Sequence, residues 1–239
     1  MNHLKPSPTL FQKSLAWGVH VFTSLGLIAG FMALLAIREN DWRTAMLWLF
    51  VCQLIDGADG SLARFFKVRE VLPHINGKTI DTVIDFSTYA LIPAFFFYEA
   101  PLVVGPWKMI CTVIILIVSV LYYGKEGMVS EDGYFVGYPV LWNMVVFFLV
   151  FVVVAPEWGN VAIVLAFAAL HFIPVKFAYP SRIKGLRSVT LWVTVVFLLA
   201  MVFIVYFYPT RVPLLNWTII FGGIFYGLAA IHITWVKKG

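Results

Sequence analysis

Apolar residues fall along this chain in blocks of about twenty, cut by short clusters of Pro, Gly, Asn and charged residues. A helix of about twenty apolar residues crosses the hydrocarbon core of a bilayer. The blocks predict eight such spans, at roughly 15–37, 43–64, 77–98, 104–123, 138–154, 159–178, 188–208 and 214–236. Turn residues mark the breaks, among them Pro73 to Asn76, Pro101 to Pro106, Pro156 to Gly159 and Pro209 to Pro213. No internal repeat interrupts the series. The first apolar run is too long for a signal-peptide core and has no small-residue cleavage site after it, so it is read as a membrane helix.

Composition supports the same picture. Of 239 residues, 62% are hydrophobic, and mean hydropathy is +0.91. A soluble core of this size cannot hide that much apolar surface. The expected class is therefore an all-α integral membrane protein, a single domain over 1–239. Cys52 and Cys111 both lie in apolar segments and suggest neither a disulfide framework nor zinc spacing. A net charge of +5 is read as basic cytoplasmic loops rather than nucleic-acid binding. With both termini cytoplasmic, only Arg38, Arg43, Lys108 and Arg211 of the seventeen Lys and Arg fall on the opposite side. That asymmetry sets the orientation.

Acidic residues change the picture most. Four of the six aspartates fall between Asp56 and Asp85. Carboxylates near a bilayer mark functional sites by default. Asp56 and Asp59 are i and i+3, and Asp81 and Asp85 are i and i+4, so each pair shares a helix face. Two helix ends offering paired carboxylates suit hard divalent cations. At about 100° per residue, Gly60, Ala63 and Arg64 join the face of Asp56 and Asp59. Small residues allow a flat group close to the backbone, and Arg64 suits bidentate phosphate contact. Gly77, Asp81 and Asp85 repeat the arrangement on the third span. Carboxylates also line ion pathways, but transport does not require this placement of Gly, Ala and Arg.

The segment reads D-x-x-D-G-x-x-A-R, twelve residues, then G-x-x-x-D-x-x-x-D. It resembles the signature of the CDP-alcohol phosphatidyltransferase family, with all eight positions filled. The twelve-residue spacer is at the long end for that family. The resemblance implies a polar cleft at the cytoplasmic membrane boundary and a CDP-linked lipid as donor. It implies that Asp56, Asp59, Asp81 and Asp85 hold one or two Mg²⁺ or Mn²⁺ ions, with Asp85 as general base. It also implies that Gly60, Ala63 and Gly77 make room for the nucleotide while Arg64 contacts phosphate. In the first span, His20 and Thr23 share a face and are expected to flank the nucleotide.

Further stretches, WGVHVFTSLG (17–26), residues 68–97, DGYFVGYPVLWN (132–143) and FIPVKFAYPSR (172–182), resemble the bacterial branch of the family that uses choline. That implies CDP-diacylglycerol and choline as substrates and an inner-membrane location, with a serine-using branch as the alternative. A quaternary ammonium favours an aromatic cage. Tyr134, Tyr138, Trp142 and Asn143 are the expected choline-side residues, with Glu131 and Asp132 nearby. Lys176, Arg182, Lys184 and Arg187 offer a basic pocket that a phosphorylated acceptor would use instead. Gly223-x-x-x-Gly227 predicts a close helix contact, within the chain or at a homodimer seam.

Overall fold

A computed structural model describes residues 7–130, 134–177 and 187–236. The protein is an all-α integral membrane protein. Helix α1 (Leu10–Arg38) begins at a capping box between Thr9 and Gln12. Helix α2 (Trp42–Phe65) begins at Asp41, whose side chain accepts the Thr44 N–H at 3.0 Å. That hydrogen bond holds the Asp41 carboxyl below its ordinary pKa. A one-turn helix, α3 (Val68–Val71), starts from Lys67 in the left-handed conformation and reverses the chain.

The third span is assembled from three pieces. Helix α4 (Gly77–Phe86) is capped by Asn76, runs into a π-helical turn at Ser87–Leu91, and continues as α5 (Ile92–Glu99). The sequence supplies a reason for the turn. Pro93 lacks the N–H that an α-helix would aim at the Tyr89 carbonyl. The Ser87 and Thr88 hydroxyls donate back to the carbonyls of Val83 and Ile84, and the Ile92 N–H reaches Ser87 instead of Thr88.

After α6 (Pro106–Tyr123) the helical pattern breaks up. Short strands β1 (Phe135–Val136) and β2 (Lys176–Phe177) pair antiparallel and bracket α7 (Trp142–Phe147), a π-helical turn at Phe148–Val152, and α8 (Glu157–Leu170). Helices α9 (Arg187–Phe207) and α10 (Pro213–Ile231) form a closing hairpin.

Six helices among the described residues are long and apolar enough to cross a membrane. The fifth and sixth expected spans are different. The helix over Trp142–Val152 rises only about 16 Å and that over Glu157–Leu170 about 21 Å, short of a hydrocarbon core of about 30 Å. Gly137 and Pro139 precede the first of these helices, and Pro156 separates the two, so continuous helix is interrupted.

Glycine sets how closely α1 approaches the third span. A Cβ on Gly30 would lie 2.6 Å from Ile92 Cδ1, and one on Gly26 would lie 3.1 Å from Ile84 Cγ2. Close approach of small residues is how helices associate in lipid. The interior is then filled by Phe96, Phe97, Trp142, Phe147 and Phe151, while Phe31, Trp107, Trp192, Trp217 and Phe221 project outward, as lipid-facing residues do.

Candidate active site

Helices α2 and α4 both pack on α1, and carboxylates from the C-terminal half of α2 and from α4 meet. Carboxylate oxygens of Asp56, Asp81 and Asp85 all lie within 4.8 Å of one another. Two like charges about 4 Å apart repel by about 4 kcal/mol at an effective dielectric of 20. Three hard oxygen donors gathered in a half-buried site therefore fit a divalent cation, which removes that repulsion.

Asp59 lies outside this 4.8 Å group but on the same cleft as Asp81. It is buried, its side chain meets that of Thr23 on α1, and it lines a cleft of about 590 Å³. The cleft is bounded by Val19, His20 and Thr23 of α1, by Asp59, Gly60 and Ala63 of α2, and by Gly77, Lys78 and Asp81 of α4. Asp81 thus belongs both to the trio and to the cleft wall. Arg69 and Asn76, from the connection between α2 and α4, complete the rim.

Most of the residues read from the sequence are brought together here. Two sit differently from expectation in detail. The Arg64 guanidinium is exposed and donates to Ser61 on its own helix at 3.1 Å, outside the cleft wall. Gly77 makes room for His20: a Cβ there would lie 3.1 Å from His20 Cε1. The His20 ring is 6% exposed and its Nε2 has no protein partner. A buried polar atom without a partner, on a cleft wall, is available to a ligand.

Three participants were not singled out from sequence. Arg69 and Lys78 entered only as topology charges, yet both line the cleft. Tyr89 is buried and its hydroxyl donates to Asp56 Oδ2 at 2.7 Å. Its signal was the spacing: Asp81, Asp85 and Tyr89 recur every fourth residue along one stripe.

Of the expected choline-side residues, Tyr138 and Trp142 belong to a separate aromatic group around His171. Trp142 stacks on the His171 imidazole with ring centres 5.3 Å apart, while Tyr122 and Tyr138 meet the same ring edge-on at 5.4 and 5.6 Å. Trp142 Nε1 donates to Ser119 at 2.9 Å. Tyr138 is half-buried, and Asn143 is buried with its Oδ1 unpartnered. Tyr134 is tied to Ser130 by a hydrogen bond from its backbone N–H at 3.1 Å. Glu131, Asp132, Arg182, Lys184 and the Arg187 side chain lie outside the described residues. In α10, a Cβ on Gly227 would meet nothing within 4 Å, and one on Gly223 only Phe148 at 3.9 Å.

A multi-pass helical membrane protein with a D-x-x-D and D-x-x-x-D carboxylate site at its helix ends is the arrangement the CDP-alcohol phosphatidyltransferase signature describes. Comparison with known proteins narrows this. The chain is 37% identical over 209 residues to the phosphatidylcholine synthase of Pseudomonas aeruginosa, covering 87% of each. It is 39% identical over 181 residues to that of Rhizobium meliloti, covering 76% of this chain and 75% of the relative. The match to that of Borreliella burgdorferi is 31% over 227 residues, 94% of this chain and 96% of the relative. No protein-family model matches the chain. The chain belongs to the phosphatidylcholine synthase family.

Proposed function

We propose that this protein transfers the phosphatidyl group of CDP-diacylglycerol to the hydroxyl of choline, forming phosphatidylcholine and releasing CMP, at the cytoplasmic face of a bacterial inner membrane. The observation that carries the reading is the convergence of Asp56, Asp81 and Asp85 within 4.8 Å beside a cleft of about 590 Å³. A cleft at helix ends admits a water-soluble alcohol from one side and a lipid-anchored donor from the other.

The chain's own residues divide the work. Asp56, Asp81 and Asp85 would hold one ion, and Asp59 with Asp81 would offer oxygens to a second from the cleft wall. Bound Mg²⁺ or Mn²⁺ supplies neutralisation of the donor pyrophosphate. Lys78, Arg69 and the N-terminus of α4 bind phosphate oxygens. Gly60 and Ala63 leave room for the nucleotide, and His20 and Thr23 contact it from α1. Arg64 stands at the outer end of the same face and meets the approaching phosphate.

Asp85 takes the proton from the choline hydroxyl, because an alcohol is a poor nucleophile at neutral pH. The choline oxygen attacks the phosphorus that carries the diacylglycerol. The bond from that phosphorus to the bridging oxygen breaks, and CMP leaves with the electron pair. The proton passes from Asp85 to water. Attack is direct, so configuration at phosphorus is inverted. Tyr134, Tyr138, Trp142 and Asn143 form the side from which the quaternary ammonium is recognised.

The test uses purified full-length protein with CDP-diacylglycerol and Mn²⁺, following CMP release with choline, serine, glycerol 3-phosphate and inositol in parallel. Release with choline alone, reduced about 10²–10⁴-fold in Asp85→Asn, is the expected result. Release with serine instead overturns the acceptor. Unchanged activity in Asp85→Asn removes the base assignment.

A further inference from the structure

We infer that Tyr89 is a positioning residue for the metal site, acting through Asp56; this rests on the metal-binding reading proposed above. Asp56 comes from α2, whereas Asp81 and Asp85 come from α4, so the trio closes only if the two helices hold their carboxylates in register. Tyr89 joins the two sides by a hydrogen bond. It sits on the third span four residues beyond Asp85, it is 6% exposed, and its hydroxyl donates to Asp56 Oδ2 at 2.7 Å. A phenol bonded to one oxygen fixes the rotation of the carboxylate and leaves the remaining acceptor capacity of Asp56 for an ion. It also places a hydrogen-bond donor beside a group that faces two further carboxylates. Partners behind metal ligands commonly set affinity and activity by 10–100-fold.

The backbone around Tyr89 is arranged for this reach. Tyr89 is the middle residue of the π-helical turn Ser87–Leu91, and such turns concentrate at functional positions. Thr88, its neighbour, is buried and bonded back to Ile84, so the segment is packed in place on the α1 side. The Tyr89 hydroxyl therefore reaches the carboxylate from a fixed frame.

Tyr89→Phe keeps the ring and deletes only the hydroxyl. Mn²⁺ binding is measured on the full-length protein in detergent by the loss of the free-ion paramagnetic resonance signal, beside Asp56→Asn and the double variant. The expected result is Mn²⁺ affinity at least about tenfold weaker in Tyr89→Phe, and no further weakening when Tyr89→Phe is added to Asp56→Asn. Thermal melting in EDTA checks the fold. Wild-type affinity in Tyr89→Phe overturns the inference, with or without a lower melting temperature, and leaves the hydroxyl a packing contact. Additive losses in the double variant also overturn it, because Tyr89 would then not act through Asp56. If the unaltered protein binds neither Mn²⁺ nor Mg²⁺ in competition with it, the metal reading and this inference fall together. That outcome is distinct from failure of Tyr89→Phe alone.

Discussion

At the scale of single residues, chemistry and packing share positions. Gly77 illustrates this. Its place in the motif suggests space for a nucleotide, and the structure shows that the space is shared with the His20 ring. Gly77→Ala should therefore displace His20 toward the cleft, because a Cβ contact at 3.1 Å is too close to be absorbed without movement. The expected effect is a KM for CDP-diacylglycerol raised several-fold, roughly 1 kcal/mol, with the choline KM unchanged. Steady-state kinetics in each substrate separates the two, and equal rises in both would show that the cleft assignment of His20 is wrong. Tyr138 makes the reciprocal case. It is the half-buried ring of the group around His171. Tyr138→Ala should raise the choline KM and leave that for CDP-diacylglycerol alone. A loss common to both substrates would assign Tyr138 to packing of the 134–177 region.

At the scale of elements, the site depends on how α1, α2 and the third span are pressed together. Gly26 and Gly30 on α1 permit the approach. Gly30→Val places branched carbon where Ile92 Cδ1 lies 2.6 Å from an added Cβ. Overpacking of this kind costs about 1–3 kcal/mol, and the melting temperature of the detergent-solubilised protein should fall accordingly. Ile92→Ala in the same chain should restore part of the loss, since it removes the group that clashes. Absence of any rescue would place the strain elsewhere on α1. The π-helical turn belongs to this scale too. Pro93 and the back-bonded hydroxyls of Ser87 and Thr88 account for it locally, and Tyr89 lies within it.

At the scale of the whole molecule, charge orients the chain and packing decides its depth. The distribution of basic residues predicts cytoplasmic termini and places the start of α6, with Lys108, on the opposite side. A reporter active only in the cytoplasm, fused after Gly239, should give signal, and the same reporter inserted between Gly105 and Pro106 should not. Signal from the second insertion would invert the topology and put the aspartate cleft on the wrong side for a cytoplasmic nucleotide donor. Between α6 and α9 the chain does not form two further regular spans. Its non-helical stretches are held by β1 pairing with β2 and by Gly137, at a positive φ, lying against the His171 carbonyl. Irregular backbone at membrane depth is tolerated where protein buries it.

The sequence by itself determined the class, the long spans, and the residues that form the acidic site. Those features are local: twenty apolar residues in a row, and carboxylates three or four apart on a helix, carry their meaning without reference to the rest of the chain. Tertiary structure decided the remainder. It brought Asp56, Asp81 and Asp85 within 4.8 Å of one another and set Asp59 on the cleft beside Asp81, turned Arg64 onto Ser61, set Arg69 and Lys78 on the cleft wall, and wrapped Tyr122, Tyr138 and Trp142 around His171. It also shortened the fifth and sixth expected spans, where hydropathy registers a run of apolar residues but not whether neighbouring protein or lipid will cover them. Each of these outcomes depends on which helix lies opposite, and Tyr89 meets Asp56 across thirty-three positions of sequence. That pairing is made by the packing of α2 and the third span on α1, which no spacing rule within one helix can express.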